Sequence, residues 1–501
     1  MTETNNINIQ KEEPDLYKRS IKGGYWVFAL QISTQLLGFL KSIIIWNLLL
    51  SHNLKVVVIA NLVMAGLYTF SESGFQAALV QKKENIADYL DTAWVIGILR
   101  GIFLFLIIFF AAPFFASLLA TQELVPLAVS VMRAMGCCFL IRAFQNVGVI
   151  YFQKEMQFNK TFGLTMAGTL TDIVLSITLV LIYQNVWAIV IASLVSATIN
   201  LLMSYLLCSY RPRFHFIPEK ARELWKFGKW LFGSNIIRYL LNEGDDWFVG
   251  FYLGADFLTL YRYAYRFANM PATYITSTIS QVSFPAYSKI QHDVPRLRQA
   301  YLKVLKVTAT ASFPVAFLVF ILGPDFVRLF LVEESQAMIV PLQIIALQGL
   351  LRSEGATRGP LLNAMGQPRL RLFYQCLRLC LLVILLYPLT KIWGITGTAL
   401  STVLVTLLVK PLGFLKSCRL LKCSARCLLE PSIYPLISAF VMAASVACSR
   451  SLLCPHVTRP TFFLLIFISG IVYLGVLYLL DRYSEKGYRR LLREQINRGS
   501  H

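Results

Sequence analysis

GIFLFLIIFFAAPFFASLLA, from Gly101 to Ala120, is a run of twenty residues without a charge. As an α-helix rising 1.5 Å per residue it covers about 30 Å, the thickness of a bilayer's hydrocarbon core. Trp187 to Ser209 and Thr461 to Leu480 repeat the pattern. The composition of the whole chain agrees with these runs. Its 501 residues are 56% hydrophobic and only 15% charged, with a mean hydropathy of +0.61. Soluble domains carry about 25% charged residues, so this chain lacks the polar surface to stay dissolved. A soluble enzyme, a disordered chain and a secreted disulfide scaffold are excluded. The fold class is an all-α polytopic membrane protein.

Apolar periodicity and turn residues place about fourteen transmembrane helices, at 25–50, 54–80, 90–119, 124–150, 161–183, 187–209, 230–251, 258–285, 303–331, 338–364, 370–390, 393–415, 433–453 and 461–480. An even number puts both termini on one side. The N-tail, the even-numbered junctions and the C-tail hold about 31 of the 47 Lys and Arg, and the opposite junctions about five. Basic residues stay on the cytoplasmic side, so both termini are expected there. The same bias accounts for most of the net charge of +21, and no nucleic-acid partner is needed. Residues 1–24 are then a cytoplasmic N-terminal tail and 25–209 an N-terminal six-helix bundle. A cytoplasmic linker, 210–229, with an amphipathic stretch from Ala221 to Phe227 fit for the membrane surface, precedes a C-terminal six-helix bundle, 230–415. Two additional transmembrane helices occupy 416–480, and 481–501 form a cytoplasmic C-terminal tail. The halves echo one another faintly: Pro113–Leu119 reads like Pro324–Phe330, and Arg142 falls where Arg352 does. The ten cysteines are scattered and the five histidines lie in loops or tails, so no metal site is expected.

Eleven basic residues fall inside the expected spans: Lys41, Arg100, Arg133, Arg142, Arg238, Arg262, Arg266, Arg352, Arg358, Arg378 and Lys410. Each costs about 2.5–3.5 kcal/mol at a helix centre. Snorkelling from near a helix end fits Lys410, Arg378 and Arg133. Six acids sit at similar depth, namely Glu72, Asp172, Glu243, Asp245, Asp246 and Glu354, so the cations remain in excess. Such a surplus is tolerable around a wet cavity, and that cavity would favour an anion. Arg262 and Arg266 share a helix face at i, i+4, where like charges repel unless an anion lies between them. Glu354 is better placed for Arg358 than for Arg352, which leaves Arg352 for the anion. The substrate-binding set expected is Arg352, Arg262, Arg266, Arg142, Arg238, Arg100 and Lys41. Glu72, Asp172, Asp245, Asp246 and Glu354 are candidates for ion coupling, with neutralisation of nearby arginines as the alternative. Tyr239, Trp247, Tyr252, Tyr261 and Tyr274 fit either an aromatic belt or stacking on sugars.

Four stretches carry a resemblance: Phe70–Lys83 (FSESGFQAALVQKK), Tyr151–Lys160 (YFQKEMQFNK), Val282–Gln291 (VSFPAYSKIQ) and Leu350–Ser353 (LLRS). In these, in their order and separation, the chain resembles the polysaccharide-transporter branch of the multidrug/oligosaccharidyl-lipid/polysaccharide (MOP) superfamily. These are the Wzx-type lipid-linked oligosaccharide flippases of bacteria, and the chain is similar in particular to the colanic-acid exporter group. The likeness runs from about residue 20 to 415 and departs at Glu72, where Asp is usual. It implies two six-helix bundles around a central cavity plus two peripheral helices, in the bacterial cytoplasmic (inner) membrane. It implies transport of an undecaprenyl-diphosphate-linked oligosaccharide from the cytoplasmic to the periplasmic leaflet for surface polysaccharide synthesis. Membrane lipids, the polysaccharide polymerase and other assembly proteins are the partners it suggests. No cofactor is expected, and a proton or sodium gradient is a candidate driving force.

Two rivals are weighed on the residues. A multidrug antiporter for cationic drugs needs an acidic cavity, against a surplus of eleven bases over six acids. An enzyme acting on the same lipid needs a sizeable outer loop with catalytic acids. Here no outer loop exceeds about ten residues, and there is neither a P-loop nor a nucleotide motif. The chain reads as a transporter without catalytic residues.

Overall fold

The computed structural model describes residues 3–49, 51–72, 74–81, 86–155, 157–453 and 457–483, and every regular element among them is a helix. The chain divides into two compact units, residues 1–259 and 260–501. The first holds α1 (Glu3–Leu48), α2 (Ser51–Ser71), α3 (Phe75–Gln81), α4 (Ala87–Leu119), α5 (Val125–Ala143) and α6 (Ile150–Lys154). It continues with α7 (Phe158–Tyr183), α8 (Trp187–Leu207) and α9 (Pro218–Leu253). Helix α10 (Ala255–Lys289) begins at its end and lies mostly in the second unit. That unit also contains α11 (Val294–Phe330), α12 (Ile339–Ala364), α13 (Pro368–Leu420), α14 (Ala425–Leu453) and α15 (Arg459–Tyr483).

Among the described residues, eleven helices are long and apolar enough to cross a membrane. This is a multi-pass membrane protein. Helices α9 and α10 have the length for a crossing but lie outside that set. Helix α13 has 53 residues, far more than the roughly 20 one crossing needs. It is a hairpin folded at Gly394, whose φ of 56° suits a residue without Cβ. Thr390 and Thr398 hydroxyls meet at 2.9 Å across the bend, and the Tyr374 hydroxyl donates to the Leu412 carbonyl at 3.4 Å. Both arms expected at 370–390 and 393–415 are therefore present in one element.

Two expectations need correction. Residues 54–80 are not one helix: α2 ends at Ser71 and the short α3 begins at Phe75. The amphipathic stretch Ala221–Phe227 is the first part of α9, which runs unbroken to Leu253. Pro218 explains its start, since proline at the first helical position loses no hydrogen bond.

Within the first unit, α4 packs on α5, α7 on α8 and α1, and α9 on α2, α3 and α4. The segment before α9 is strapped to the start of α4. The Tyr210 hydroxyl donates to Asp91 Oδ1 at 2.5 Å, and the Arg213 amide donates to the same oxygen at 2.8 Å. The Ile217 amide donates to Thr92 Oγ1 at 3.2 Å. Burial, and then the Asp91 carboxylate, push the Tyr210 phenol above its ordinary range, so it stays a donor. A core of Ala78, Leu79, Ile86, Leu90, Ile150 and Leu224 closes this end. In the second unit α11 is the central helix, packed on α12, α14 and α15. Side chains such as Phe103, Phe110, Phe440 and Phe467 are exposed, as lipid-facing residues of membrane helices should be.

Candidate functional site

The break after α2 and the packing of α9 shape a cavity of about 630 Å³ lying wholly within the first unit. That is the size of a small-molecule or headgroup site. The end of α2 supplies Tyr68 and Glu72, and the turn into α3 adds Phe75 and Gln76. Helix α4 presents one face, with Ala93, Gly97, Arg100, Gly101 and Leu104 spaced as neighbours on a helix. The end of α5 brings Phe139 and Arg142, the following loop Gln145 and Asn146, and α6 brings Gln153. Asn235 and Arg238 of α9 complete the wall.

Close packing of two helices makes this geometry. A Cβ on Gly101 would lie 2.3 Å from the Ala143 Cβ and 2.8 Å from the Phe139 carbonyl oxygen. Glycine there lets α5 approach α4 near the cavity floor, and a small residue at a contact is how membrane helices come together. Gly97, one turn earlier, faces open space and leaves that room to the cavity. The loop after α5 is fixed by Asn146, which is fully buried. Its side chain accepts from the Gly148 amide at 2.9 Å and donates to the Tyr210 carbonyl at 2.7 Å.

Among the described residues, the cavity wall holds three arginines against one carboxylate. The Arg100 guanidinium lies over the Tyr68 ring, 5.3 Å from its centroid, a cation–π contact that leaves its charge uncompensated. Arg238 donates through Nη2 to Asn235 Oδ1 at 2.7 Å. Asn235 in turn donates through Nδ2 to Glu72 Oε2 at 3.3 Å. Among the described residues, none of Arg100, Arg142 and Arg238 makes an ion pair. Cations without counter-ions in a concave wall concentrate positive potential there. Such a wall favours an anion over a cation, and guanidinium forks suit the oxygens of phosphate or carboxylate.

Arg100, Arg142, Arg238 and Glu72 thus come together, from four sequence-distant segments. Lys41 and Asp172 do not line the cavity; they pair with each other at 2.5 Å and join α1 to α7. Asp245 and Asp246 are buried on α9, outside the lining. Arg262 and Arg266 lie on α10 in the second unit, Arg266 exposed. The side chains of Arg352 and Glu354 lie outside the described residues. Arg133 sits over the Phe109 ring at 4.7 Å and donates through Nε to the Phe109 carbonyl at 3.0 Å. Tyr239 is buried in a hydrogen-bond chain, accepting from Trp247 Nε1 at 2.8 Å and donating to the Leu62 carbonyl at 3.3 Å. Sequence reasoning missed Asn235, Gln153 and Tyr68. Gln153 was within reach, because it lies in one of the four quoted stretches, as Glu72 and Gln76 lie in another. Nothing in the sequence distinguished Asn235 from other polar residues of helices.

Comparison with known proteins adds independent findings. A family model described as polysaccharide biosynthesis protein matches residues 47–340. The lipopolysaccharide biosynthesis protein WzxC of Escherichia coli (strain K12) is 25% identical over 401 residues, 79% of each chain. Among solved structures, the lipid II flippase MurJ in an inward closed conformation superposes with a TM-score of 0.75 at 16% identity. It covers 91% of this chain and 99% of its own. An inward-facing multidrug resistance MATE family transporter of the MOP superfamily gives a TM-score of 0.62 at 18% identity, covering 79% of this chain and 99% of its own. At such identities the structural matches speak for the fold.

Proposed function

This chain belongs to the polysaccharide biosynthesis protein family, and we propose that it is a flippase for lipid-linked oligosaccharides. It moves an undecaprenyl-diphosphate-linked oligosaccharide from the cytoplasmic to the periplasmic leaflet of the bacterial inner membrane, for surface polysaccharide synthesis, by alternating access. The observation that carries this reading is the cavity whose three arginines lack a carboxylate partner among the described residues. A diphosphate headgroup cannot cross hydrocarbon unaided, whereas its polyprenyl tail is at home there. A cationic cavity in a membrane protein supplies what the headgroup needs and leaves the tail in lipid. The name of WzxC places that relative in lipopolysaccharide biosynthesis, and the fold neighbour MurJ is a lipid II flippase.

Orientation supports loading from the cytoplasm. The cavity is lined by the end of α2, the first half of α4 and the end of α5. On the topology set by the basic residues, with both termini inside, these ends are cytoplasmic. The MATE fold neighbour favours a drug antiporter as a second reading. The sign of the cavity runs against it, because a cationic drug would be repelled.

Arg142 is the direct test, since its guanidinium makes no hydrogen bond or ion pair among the described residues. In proteoliposomes with a labelled prenyl-diphosphate oligosaccharide, Arg142→Ala should lower the transport rate by about 10–100-fold, as expected for losing a charge-assisted contact of about 1.5–3 kcal/mol. Arg142→Lys, which keeps the charge but not the fork, should retain part of it. Wild-type rates in Arg142→Ala would remove the anion-site reading.

A further inference from the structure

Among the described residues of the cavity, Asn235 stands between the acid, Glu72, and one of the cations, Arg238. Its Oδ1 accepts from Arg238 Nη2 at 2.7 Å, and its Nδ2 donates to Glu72 Oε2 at 3.3 Å. A carboxamide presents an acceptor and a donor on one carbon. It can therefore satisfy a guanidinium and a carboxylate together without carrying charge. Direct contact between Glu72 and Arg238 would instead form an ion pair and take one positive charge away from the cavity. We propose that Asn235 is a positioning residue that keeps Glu72 from neutralising Arg238, and so keeps the cavity cationic for the diphosphate. The inference rests on the anion-site reading of the cavity and adds to it a residue that sets the strength of the site.

The register of Asn235 is fixed by its own helix. Tyr239 follows one turn later, buried and held by Trp247 and the Leu62 carbonyl. Its hydroxyl lies only 2.9 Å from where a Cβ on Gly66 would be, so α9 lies close on α2. Residues four apart share a helix face, which puts Asn235 toward the end of α2, where Glu72 is. Arg238, three residues on, is exposed in the cavity wall. With its Nη2 on a neutral oxygen, its remaining N–H groups and its full charge serve the cavity.

The other charges of the wall do not replace this arrangement. Arg100 is engaged with Tyr68, and Arg142 comes from α5. Among the described residues of the lining, only Glu72 carries a negative charge. Its placement therefore decides whether the site presents three cations or effectively two.

Calorimetric titration of the detergent-solubilised full chain with inorganic pyrophosphate separates the alternatives. Asn235→Ala removes the spacer and should weaken binding about tenfold, the scale of one charge-assisted contact. Adding Glu72→Gln to Asn235→Ala should restore affinity to within about twofold of wild type, because the neutralising charge is gone while the bridge stays broken. Asn235→Asp, of equal size, puts a carboxylate against Arg238 and should weaken binding at least as much as Asn235→Ala. A purely structural bridge is lost equally in Asn235→Ala and in the double variant. Failure of the double variant to recover, with wild type binding normally, overturns the role of Asn235 alone. If wild type itself does not bind pyrophosphate, the anion-site reading falls and this inference with it.

Discussion

At the scale of single residues, the cavity depends as much on what is absent as on its charges. Gly101 is the clearest case, since any side chain there meets Ala143 and the Phe139 carbonyl at distances no Cβ tolerates. Gly101→Val should push α5 away from α4 and cost about 1–3 kcal/mol, the usual range for overpacking. A lowered melting temperature in detergent, together with weaker pyrophosphate binding, is the expected result. Gly97→Ala is the control, because its Cβ would point into open space; it should melt like wild type. Arg142 could be singled out from the sequence because an unpaired charge inside a span is costly wherever it faces. Lys41 was singled out by the same rule and turned out to be paired with Asp172. The cost of burial is legible one residue at a time, whereas the partner that offsets it lies 131 positions away.

Among the elements, the two last helices show how ion pairs fix a hairpin in lipid. Helix α11 meets α15 through Lys306 and Asp481 at 3.5 Å, and α14 through Asp325 and Arg450 at 3.0 Å. Nineteen residues separate Lys306 from Asp325, which is about 28 Å along a helix and close to the hydrocarbon thickness. Each pair thus sits near one membrane boundary and pins the α14–α15 hairpin to α11 at both ends. Aromatic contacts fill the space on one side, with Phe330 against Phe462 at 5.3 Å. Lys306→Met removes this cation from the half-buried Asp481 and should cost about 3 kcal/mol. Lys306→Met combined with Asp481→Leu should recover most of that in a detergent melt. Equal losses in the single and the double variant would show that the pair contributes nothing beyond packing.

On the scale of the whole molecule, topology is the quantity the charges predict. Reporter fusions after Arg213 and Arg298 should read as cytoplasmic, and fusions after Gln122 and Glu334 as periplasmic. The loop with Arg211 and Arg213 is the sharpest point, because it is also strapped to the start of α4 through Asp91. A periplasmic signal there would invert the first unit and with it the proposed loading side of the cavity.

The sequence alone determined the solvent. Uncharged runs such as Gly101–Ala120 can be at home only in hydrocarbon, where a backbone must satisfy its own hydrogen bonds, and helices follow. It also separated the two arms of α13, at 370–390 and 393–415, and counted an excess of basic over acidic residues within the spans. Apolar length is a local property, so it can be read from neighbouring residues. Tertiary structure decided the rest. The separation of α2 from α3 within an apparently continuous span, the merging of Ala221–Phe227 into α9 and the meeting of Arg100, Arg142 and Arg238 all depend on how α9 packs against α2, α3 and α4. That packing rests on side-chain fit, including Tyr239 over Gly66 and Ala143 over Gly101. A hydropathy pattern says which faces avoid water, but lipid and a neighbouring helix are equally apolar, so it does not say which of the two a face will meet.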